Sequence, residues 1–444
     1  MKKKVSIVGF GRFGQTLYRL LKDDFQITLY NRHPQVFEKI KVDGKTVIAE
    51  KIADIYRSEV IFYCVPIAVF KSVINSHRRY FKKHLLVDVL SVKEHPAKIF
   101  RKYLKGTEAQ AILTHPMFGP DSSQSGFSNL PLVMDKFLSD GNNYAFWKKY
   151  FSDKGLSIIE ISPEEHDRLA ANSQGLTHFI GRLLAEFGFK PTEIDTYGTK
   201  KLHEVESQTC NDTWQLFTNL QNYNRYTGPM RVRLGKAYDK LYDRLIPKKA
   251  NPKKVIYGIQ GGLGSFNEEA VLFYTGKKNI KKFKIKYLYT TEKVLKSLHE
   301  GSIDYGLFAI QNAVGGVVEE SAYAMARYRF KIIDEFAIPI RHYLMKKIGV
   351  GLSEIDAIMA HPQVFRQCRH NLSIRYSKKN LVSGKGDLID TAKAAWALSK
   401  NKIPSTTAIL GPKRLAEIYG LEIIDQDLQD DKTNNTTFFL AGRD

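Results

Sequence analysis

Two residues able to handle a proton stand where strand-like runs end: Ser91 in Val87-Asp88-Val89-Leu90-Ser91-Val92-Lys93, and His115 in Thr114-His115-Pro116-Met117-Phe118-Gly119-Pro120-Asp121. Imidazole titrates near physiological pH, so His115 suits a proton acceptor, and the proline-bounded turn behind it holds it in place. A third feature, Gly9-Phe10-Gly11-Arg12-Phe13-Gly14, follows strand-like Val5-Ser6-Ile7-Val8 and opens onto Phe13, Leu17, Leu20 and Leu21, which recur at helical spacing. Gly9 permits a tight turn, Gly11 lets backbone approach a pyrophosphate, and Gly14 lets the helix pack close to the sheet, with phosphates on the free N–H groups at the helix start. At the end of the second strand, Tyr30-Asn31-Arg32-His33 offers no carboxylate for a ribose 2′-hydroxyl. Arg32 is placed to pair with a 2′-phosphate, which makes NADP the expected cofactor over NAD. The plainer readings are an ordinary glycine turn, a solvated Arg32, a structural histidine and, for the whole protein, a non-catalytic NADP-binding sensor.

The elements that must position these groups alternate in type. Strand-like Val5 to Val8, Gln26 to Tyr30, Val60 to Cys64, Leu85 to Val89 and Ala111 to Thr114 are separated by amphipathic segments, the rhythm of βαβ units. In a doubly wound sheet the loops leaving strand C-termini face the cofactor, so Ser91 and His115 would approach the nicotinamide from neighbouring strands. After strand-like Leu156 to Ile161, Ser162-Pro163-Glu164-Glu165 supplies a helix cap, a proline and acids for a first turn. Helical character then runs to about Leu245, and 246–254, polar, charged and holding two prolines, reads as a linker. A new α/β rhythm starts at Val255. The expected organisation is a Rossmann-type doubly wound domain over 1–162, an all-helical substrate and dimerisation domain over 163–245, the linker 246–254, and a further α/β domain over 255–444.

At 444 residues two or three cores are expected. A formal net charge of +22 invites a nucleic-acid reading. The lysines are spread along the chain with no nucleic-acid motif beside them, so no nucleic-acid partner is expected, and the positive field would instead steer small anions. No apolar run is long enough to span a bilayer. Cys64, Cys210 and Cys368 show no metal-ligand or disulfide spacing, and no metal is expected. The start, Met1-Lys2-Lys3-Lys4 passing at once into Val5-Ser6-Ile7-Val8, lacks an export signal, so the cytoplasm is the expected compartment.

The order of dinucleotide fingerprint, Ser91-Val92-Lys93 turn and His115-Pro116-Met117-Phe118-Gly119-Pro120 resembles the prephenate and arogenate dehydrogenase family over roughly residues 1 to 245. The helical part agrees, with Glu165-His166-Asp167-Arg168-Leu169-Ala170-Ala171 and Ser173-Gln174-Gly175-Leu176-Thr177-His178-Phe179-Ile180-Gly181-Arg182. Cys210-Asn211-Asp212-Thr213-Trp214 and Asn222-Tyr223-Asn224 resemble the arogenate-type branch. The resemblance implies a reaction in which the ring carbon bearing the hydroxyl gives hydride to the nicotinamide, a neighbouring carboxylate leaves as carbon dioxide, and the ring becomes aromatic. His115 would take the hydroxyl proton, and Ser91 would hydrogen-bond that histidine or the substrate. His178 and Arg182 would bind substrate, with a structural role as the alternative for Arg182. Asp212 would pair with the ammonium of arogenate, for which prephenate has no counterpart, so the reading leans towards arogenate. A homodimer is implied.

From Val255 the chain resembles prephenate dehydratase, in Gly258-Ile259-Gln260-Gly261-Gly262-Leu263-Gly264-Ser265-Phe266, Gly301-Ser302-Ile303-Asp304-Tyr305-Gly306, His361-Pro362-Gln363 with Gln367-Cys368, Leu415-Ala416-Glu417-Ile418-Tyr419-Gly420-Leu421 and Asn434-Asn435-Thr436-Thr437-Phe438. The implied fold is two α/β lobes around a ligand cleft, like a periplasmic binding protein. Asn312, Gln363 and Thr391 would contact substrate, and Thr436 would assist departure of the ring hydroxyl. The pattern is altered: Ile-Glu-Asn-Ser is Ile310-Gln311-Asn312-Ala313, Ser-Thr-Ala is Asp390-Thr391-Ala392, and Thr-Arg-Phe is Thr436-Thr437-Phe438. Losing the arginine removes a bidentate partner for a bound carboxylate. Two readings follow. This half is a working dehydratase with a rearranged anion site, which makes phenylpyruvate beside the dehydrogenase, or it is a catalytically silent domain that binds a ligand and regulates or stabilises the dehydrogenase.

Overall fold

Alternate residues of the same strands feed two different cores. In the computed structural model, which describes residues 3–38 and 44–443, Val60 and Phe62 pack into one apolar cluster while Ile61 and Tyr63 pack into another. Leu85 and Val87 against Leu86 repeat the pattern, as does Ile112 against Ala111 and Leu113. Such strands are buried on both faces, as central strands of a parallel sheet must be. Met1, Lys2 and Asp444, at the outer ends of the expected first and last domains, lie outside the described residues.

The sheet of the first unit contains β1 (Lys4–Val8), β2 (Gln26–Tyr30), β3 (Val47–Ile48), β4 (Val60–Tyr63), β5 (Leu85–Asp88), β6 (Gln110–Pro116), β7 (Pro131–Leu138) and β8 (Ser157–Glu160). Their order is β3-β2-β1-β4-β5-β6-β7-β8. Pairing is parallel from β3 to β6, β7 is antiparallel to β6, and β8 runs with β7. The order reverses at β1, where β2 lies on one side and β4 on the other, so the switch point of a doubly wound sheet falls at the glycine turn. One face is covered by α1 (Arg12–Leu21), through Leu17, Leu20 and Leu21, and by helix Gly141–Asp153, through Tyr144, Trp147 and Phe151. Helices Ile67–His77 and Glu94–Tyr103 cover the other with Phe70, Ile74, Ile99 and Phe100. Each such side chain, fully buried, contributes about 1.5–3 kcal/mol.

Helices Pro163–Asn172, Gln174–Phe187, Tyr197–Cys210, Trp214–Tyr223 and Thr227–Leu245 follow. Ser162, Thr196 and Thr213 cap three of them, each accepting from a backbone N–H three residues on. Gly181 lets two helices touch, since a methyl group there would lie 1.9 Å from Oγ1 of Thr209. No strand interrupts this stretch among the described residues.

The chain divides into two compact units, Met1–Ala237 and Tyr238–Asp444, the division falling within helix Thr227–Leu245. The second unit holds two sheets. One orders its strands Phe283–Tyr287, Val255–Ile259, Tyr305–Asn312, Asn435–Gly442 and Lys331–Pro339, with Gly316–Val317 paired to Tyr305–Asn312. The other runs Asn380–Val382, Ala357–Met359, Thr407–Gly411, Tyr343–Lys347 and Leu421–Asp425. The chain leaves the first lobe after Pro339 and re-enters it at Asn435, and the two crossings are tied by Ile340 N to Asn434 O (2.8 Å) and Leu428 N to His342 O (3.1 Å). This is the expected two-lobed α/β architecture. No helix among the described residues is long and apolar enough to cross a membrane.

Candidate active site

The glycine turn is shaped for close approach of backbone. Gly9 has φ +94°, and a methyl group on it would lie 2.4 Å from the Cys64 carbonyl oxygen, while one on Gly14 would lie 2.2 Å from the carbonyl of Gly9. One on Gly11 would meet nothing within 4 Å, so open space lies beside the start of α1, whose first N–H groups have no helical acceptor. A dinucleotide pyrophosphate fits this cradle. Phe10 points the other way, into the core against Tyr18 and Phe37, and its N–H is already donated to Asn31 Oδ1 at 3.2 Å. Asn31 also donates to the His33 carbonyl at 2.9 Å, which fixes the end of β2. Arg32 is exposed, lies against the His33 ring and makes no ion pair with a described residue. Phe13 shares a small apolar cavity with Thr114, Pro116 and Phe118, so the start of α1 and the end of β6 adjoin.

His115 is buried at that end of β6, and its Nδ1 lies 2.7 Å from His166 Nε2. His166 Nδ1 is 2.8 Å from Asp167 Oδ1, and Asp167 accepts from the backbone N–H groups of Lys93 (2.7 Å) and Glu94 (3.0 Å). Since a carboxylate only accepts, the proton order follows: His166 donates from Nδ1 and accepts at Nε2, and His115 donates from Nδ1. Nε2 of His115 is left as a lone-pair acceptor with no partner among the described residues. Burial, then the neighbouring His166 and Lys93, hold His115 well below the ordinary histidine value, and burial also lowers His166. The arrangement therefore presents a neutral imidazole in one tautomer, and it can take a proton at Nε2.

Of the two partners expected for Ser91, His115 or the substrate, the first is corrected here. Ser91 makes no hydrogen bond to His115; the group that orients the imidazole is His166, backed by Asp167, because these occupy the Nδ1 side of the ring. Ser91 is half-buried two residues before the Lys93 anchor, with its hydroxyl uncommitted among the described residues. Neither His166 nor Asp167 was singled out by sequence reasoning, although a signal existed. Both fall on the inner face of helix Pro163–Asn172 with Ala170 and Ala171, where apolar residues are the rule. Asn224 secures them by donating to the Asp167 carbonyl at 2.7 Å.

The other residues expected at the substrate form a second group. Arg182 donates to the carbonyls of Asp212 (2.5 Å) and Thr209 (3.4 Å) and lies over the rings of Trp214 and Phe217. His178 feels both Asp212 and Arg182, with burial pushing its imidazole towards the neutral form. His178 Nδ1 and Arg182 Nε are buried without a partner among the described residues, the mark of a place where water or ligand completes the bonding. The Asp212 carboxylate lies 3.4 Å from Arg12, and Arg12 pairs more closely with Asp121 at 2.8 Å. Arg12 thus ties the glycine turn to the loop behind His115 and to the Asp212 loop.

In the second unit, Asn312 Nδ2 donates to Thr436 Oγ1 (2.9 Å) and Asn434 Oδ1 (2.8 Å), and its Oδ1 accepts from Gln367 (3.0 Å). Thr436 is buried, and Thr437, in place of the arginine of the resembled pattern, is half-buried. Gln363 reaches the first lobe, where its Nε2 would meet a methyl group on Gly315 at 2.2 Å, and it accepts from Arg366. Thr391 begins helix Thr391–Ser399 under the cap of Asp390. The structure thus brings Asn312 and Thr436 together and places Gln363 between the lobes.

Fold and site define a dinucleotide-binding unit of dehydrogenase type followed by a two-lobed ligand-cleft unit. Family models agree: that for the prephenate dehydrogenase nucleotide-binding domain matches residues 19–138 and that for prephenate dehydratase matches 257–444, with a TYRAAT1-like C-terminal domain over 183–255. Arogenate dehydrogenase 2, chloroplastic, of Arabidopsis thaliana is 32% identical over 250 residues, 54% of this chain and 70% of that one. Arogenate dehydratase 3, chloroplastic, of the same organism is 34% identical over 141 residues, 32% of each chain. Among solved structures, Synechocystis arogenate dehydrogenase is 17% identical with a TM-score of 0.43, covering 62% of this chain and 98% of that one. Prephenate dehydratase from Arthrobacter aurescens in complex with L-Phe is 26% identical with a TM-score of 0.39, covering 43% and 61%. The chain belongs to the prephenate and arogenate dehydrogenase family, with a prephenate dehydratase-like domain behind the dehydrogenase part.

Proposed function

We propose that the first unit oxidises arogenate or prephenate with NADP, with loss of carbon dioxide, in tyrosine biosynthesis. The observation that carries this reading is the His115-His166-Asp167 chain beside the glycine cradle. A nicotinamide dinucleotide held by the turn Gly9 to Gly14 supplies the hydride acceptor. Nε2 of His115 accepts the proton of the ring hydroxyl as hydride leaves the same carbon, and returns it to the phenol oxygen once the carboxylate has departed and the ring is aromatic. The uncommitted Ser91 hydroxyl bonds the substrate hydroxyl. His178 and Arg182 orient the substrate carboxylates, and Asp212, shared with Arg12, favours a substrate bearing an ammonium. Arogenate is the preferred substrate on this ground.

For the second unit we propose dehydration in a rearranged anion site, with phenylpyruvate formed from prephenate for phenylalanine biosynthesis. Arg366, bonded to Gln363 at the lobe boundary, replaces the missing cation. Thr437 favours the alternative, a silent ligand-binding domain, because it offers an anion no charge. The test is product analysis of the full chain given arogenate or prephenate, with and without NADP. Tyrosine from arogenate or hydroxyphenylpyruvate from prephenate is expected only with cofactor, and phenylalanine or phenylpyruvate without it. If neither substrate gives a cofactor-dependent product, the dehydrogenase reading falls; if no cofactor-independent product forms, the second unit is the silent domain.

Arg32 supports NADP because its guanidinium is exposed just after β2, held only by the His33 ring and in no ion pair with a described residue, and the Tyr30-Asn31-Arg32-His33 turn brings no carboxylate to oppose a phosphate. Arg32→Ala is expected to weaken NADP about tenfold or more while leaving NAD nearly unchanged, as measured by cofactor KM, since a charge-assisted phosphate contact is worth about 1.5–3 kcal/mol. An unchanged preference would remove Arg32 from cofactor selection. We place the protein in the cytoplasm, where its three free thiols would stay reduced. A homodimer is supported by exposed Phe187, Ile194 and Tyr197 in the helical stretch, apolar surface of the kind that subunit contacts cover.

A further inference from the structure

His342 is wholly buried where the chain first crosses between the lobes of the second unit, and its imidazole heads a chain of side chains that ends on Thr436. Its Nε2 lies 2.7 Å from Gln367 Oε1, Gln367 Nε2 donates to Asn312 Oδ1 at 3.0 Å, and Asn312 Nδ2 donates to Thr436 Oγ1 at 2.9 Å. Asn312 and Thr436 are paired across antiparallel strands of the first lobe, while Gln367 ends helix Pro362–Gln367 of the second. The chain therefore exists only while the lobes are together.

The direction of its hydrogens follows from the backbone. The N–H groups of Val314 (3.1 Å) and Gly315 (2.7 Å) both point at Asn312 Oδ1, and an N–H can only donate, so that atom is the amide oxygen and Nδ2 faces Thr436. Gln367 must then present Nε2 to Asn312, which turns its Oε1 towards the imidazole. An amide oxygen only accepts, so His342 carries its hydrogen on Nε2. Its Nδ1 is buried without a partner among the described residues, a place for a lone pair and not for a second N–H on a charged ring. Burial pushes the imidazole down to about 4, which agrees with a neutral ring. Gln429 Oε1 accepts from His342 N at 3.0 Å and Phe266 packs edge-to-face on the ring, so the histidine is held in place. At the far end Thr436 Oγ1 receives a hydrogen, and its own O–H has no acceptor among the described residues.

We propose that His342 is a positioning residue for dehydration in this cleft: it fixes the Gln367 amide so that the second lobe donates to Asn312 of the first, and Thr436 is thereby held as a hydrogen-bond donor to the departing ring hydroxyl only when the lobes are together. This rests on the reading that the second unit dehydrates prephenate, and it adds how Thr436 is oriented. In that step the ring C–O bond breaks with its electron pair on oxygen, the bond to the ring carboxylate supplies the pair that completes the aromatic ring, and carbon dioxide leaves. Thr436 steadies the charge growing on the oxygen and keeps its proton, while the hydroxide is neutralised by a proton from solvent water. Donors aligned in one sense behind Thr436 polarise one another and strengthen the bond it gives. Without the Nε2 hydrogen, the Gln367 amide is free to turn its oxygen towards Asn312 Oδ1, and the two lobes lose that link.

The test is the kinetics of cofactor-independent phenylpyruvate formation from prephenate by the full chain. His342→Leu is expected to lower kcat about tenfold with KM nearly unchanged, and His342→Gln, which returns an N–H to Gln367, is expected to recover most of the loss. Gln367→Met cuts the same chain one link nearer to Thr436, so adding His342→Leu to it should cost nothing further, whereas a merely structural histidine would cost as much in either background. A His342→Leu protein with the kcat of wild type, a glutamine variant no better than the leucine one, or losses that add fully with Gln367→Met overturns the proposal while leaving the second unit a dehydratase. If His342→Leu does not fold, Gln367→Met carries the test alone, and a kcat equal to wild type overturns the proposal. Absence of phenylpyruvate with the wild-type chain overturns the dehydration reading and the proposal with it.

Discussion

His115→Asn is expected to lower kcat at least ~100-fold while cofactor affinity stays nearly unchanged, because the side chain lost is the proton acceptor and not part of the nucleotide cradle. Asparagine cannot take up a proton, so the loss should appear in kcat and in kcat/KM alike. The relay behind the histidine gives a second, graded measurement. His166→Gln keeps an oxygen that accepts from His115 Nδ1, whereas His166→Leu removes it and frees the ring to adopt the other tautomer. The leucine variant should lose on the order of tenfold in kcat, about 1.4 kcal/mol of transition-state stabilisation, and the glutamine variant should recover most of it. Equal activity in wild type and His166→Leu would remove His166 from orientation. The pH profile carries its own sign. Burial, His166 and Lys93 lower the His115 value, so the neutral, active form persists below the ordinary histidine pKa of about 6.5. The acid limb of kcat/KM should therefore fall below that value, and an acid limb above it would contradict a buried base.

The parts of this site that were legible in the sequence are those set by local chain chemistry. Three glycines between a strand and a helix have one economical explanation, and the strands β1, β2, β4, β5 and β6 follow from apolar runs bounded by turns. Strand β7 was not anticipated. Its eight residues, Pro131–Leu138, join the sheet antiparallel to β6, and only the first half is buried, so its pattern is weaker than that of the central strands. The relay was illegible for a different reason. His115 lies on β6 whereas His166 and Asp167 lie on helix Pro163–Asn172, and His115 and His166 are 51 positions apart, so only tertiary packing reveals that one imidazole orients the other. The same holds for Asp212: the sequence offered a free carboxylate, and the structure shows it sharing Arg12 with Asp121. In the second unit the altered residues were readable one at a time, but that Asp390 uses one oxygen for the helix and leaves the other facing Gly262 depends on both lobes.

Lys93→Met is expected to destabilise the first unit by about 3–5 kcal/mol, on the order of 10 °C in Tm, because it strands a buried carboxylate. Lys93 and Asp88 are both almost wholly inaccessible, at 2% and 0% side-chain exposure, and they form an ion pair. The ammonium also donates to the Thr114 carbonyl, while Asp88 accepts from Leu90 N (3.2 Å) and Thr114 N (3.3 Å). The pair thus fixes the end of β5 to the end of β6, one residue before His115. Burial pushes Asp88 up to about 6 even with Lys93 and two N–H groups pulling it down. A carboxyl whose folded value lies above its unfolded value binds its proton more readily in the folded state, so stability falls as pH rises through that interval. Removing the ammonium raises the folded value further. The Lys93→Met deficit should therefore be largest at pH 8 and shrink on acidification to pH 6, as read by thermal unfolding. Asp88→Asn combined with Lys93→Met should recover much of the loss, since no buried charge is then left unpaired. If the single variant matches wild type at pH 8, the pair makes no net contribution to the fold. If the double variant regains stability but not turnover, the pair is needed to hold the end of β6, and with it His115, in register with the cofactor cradle.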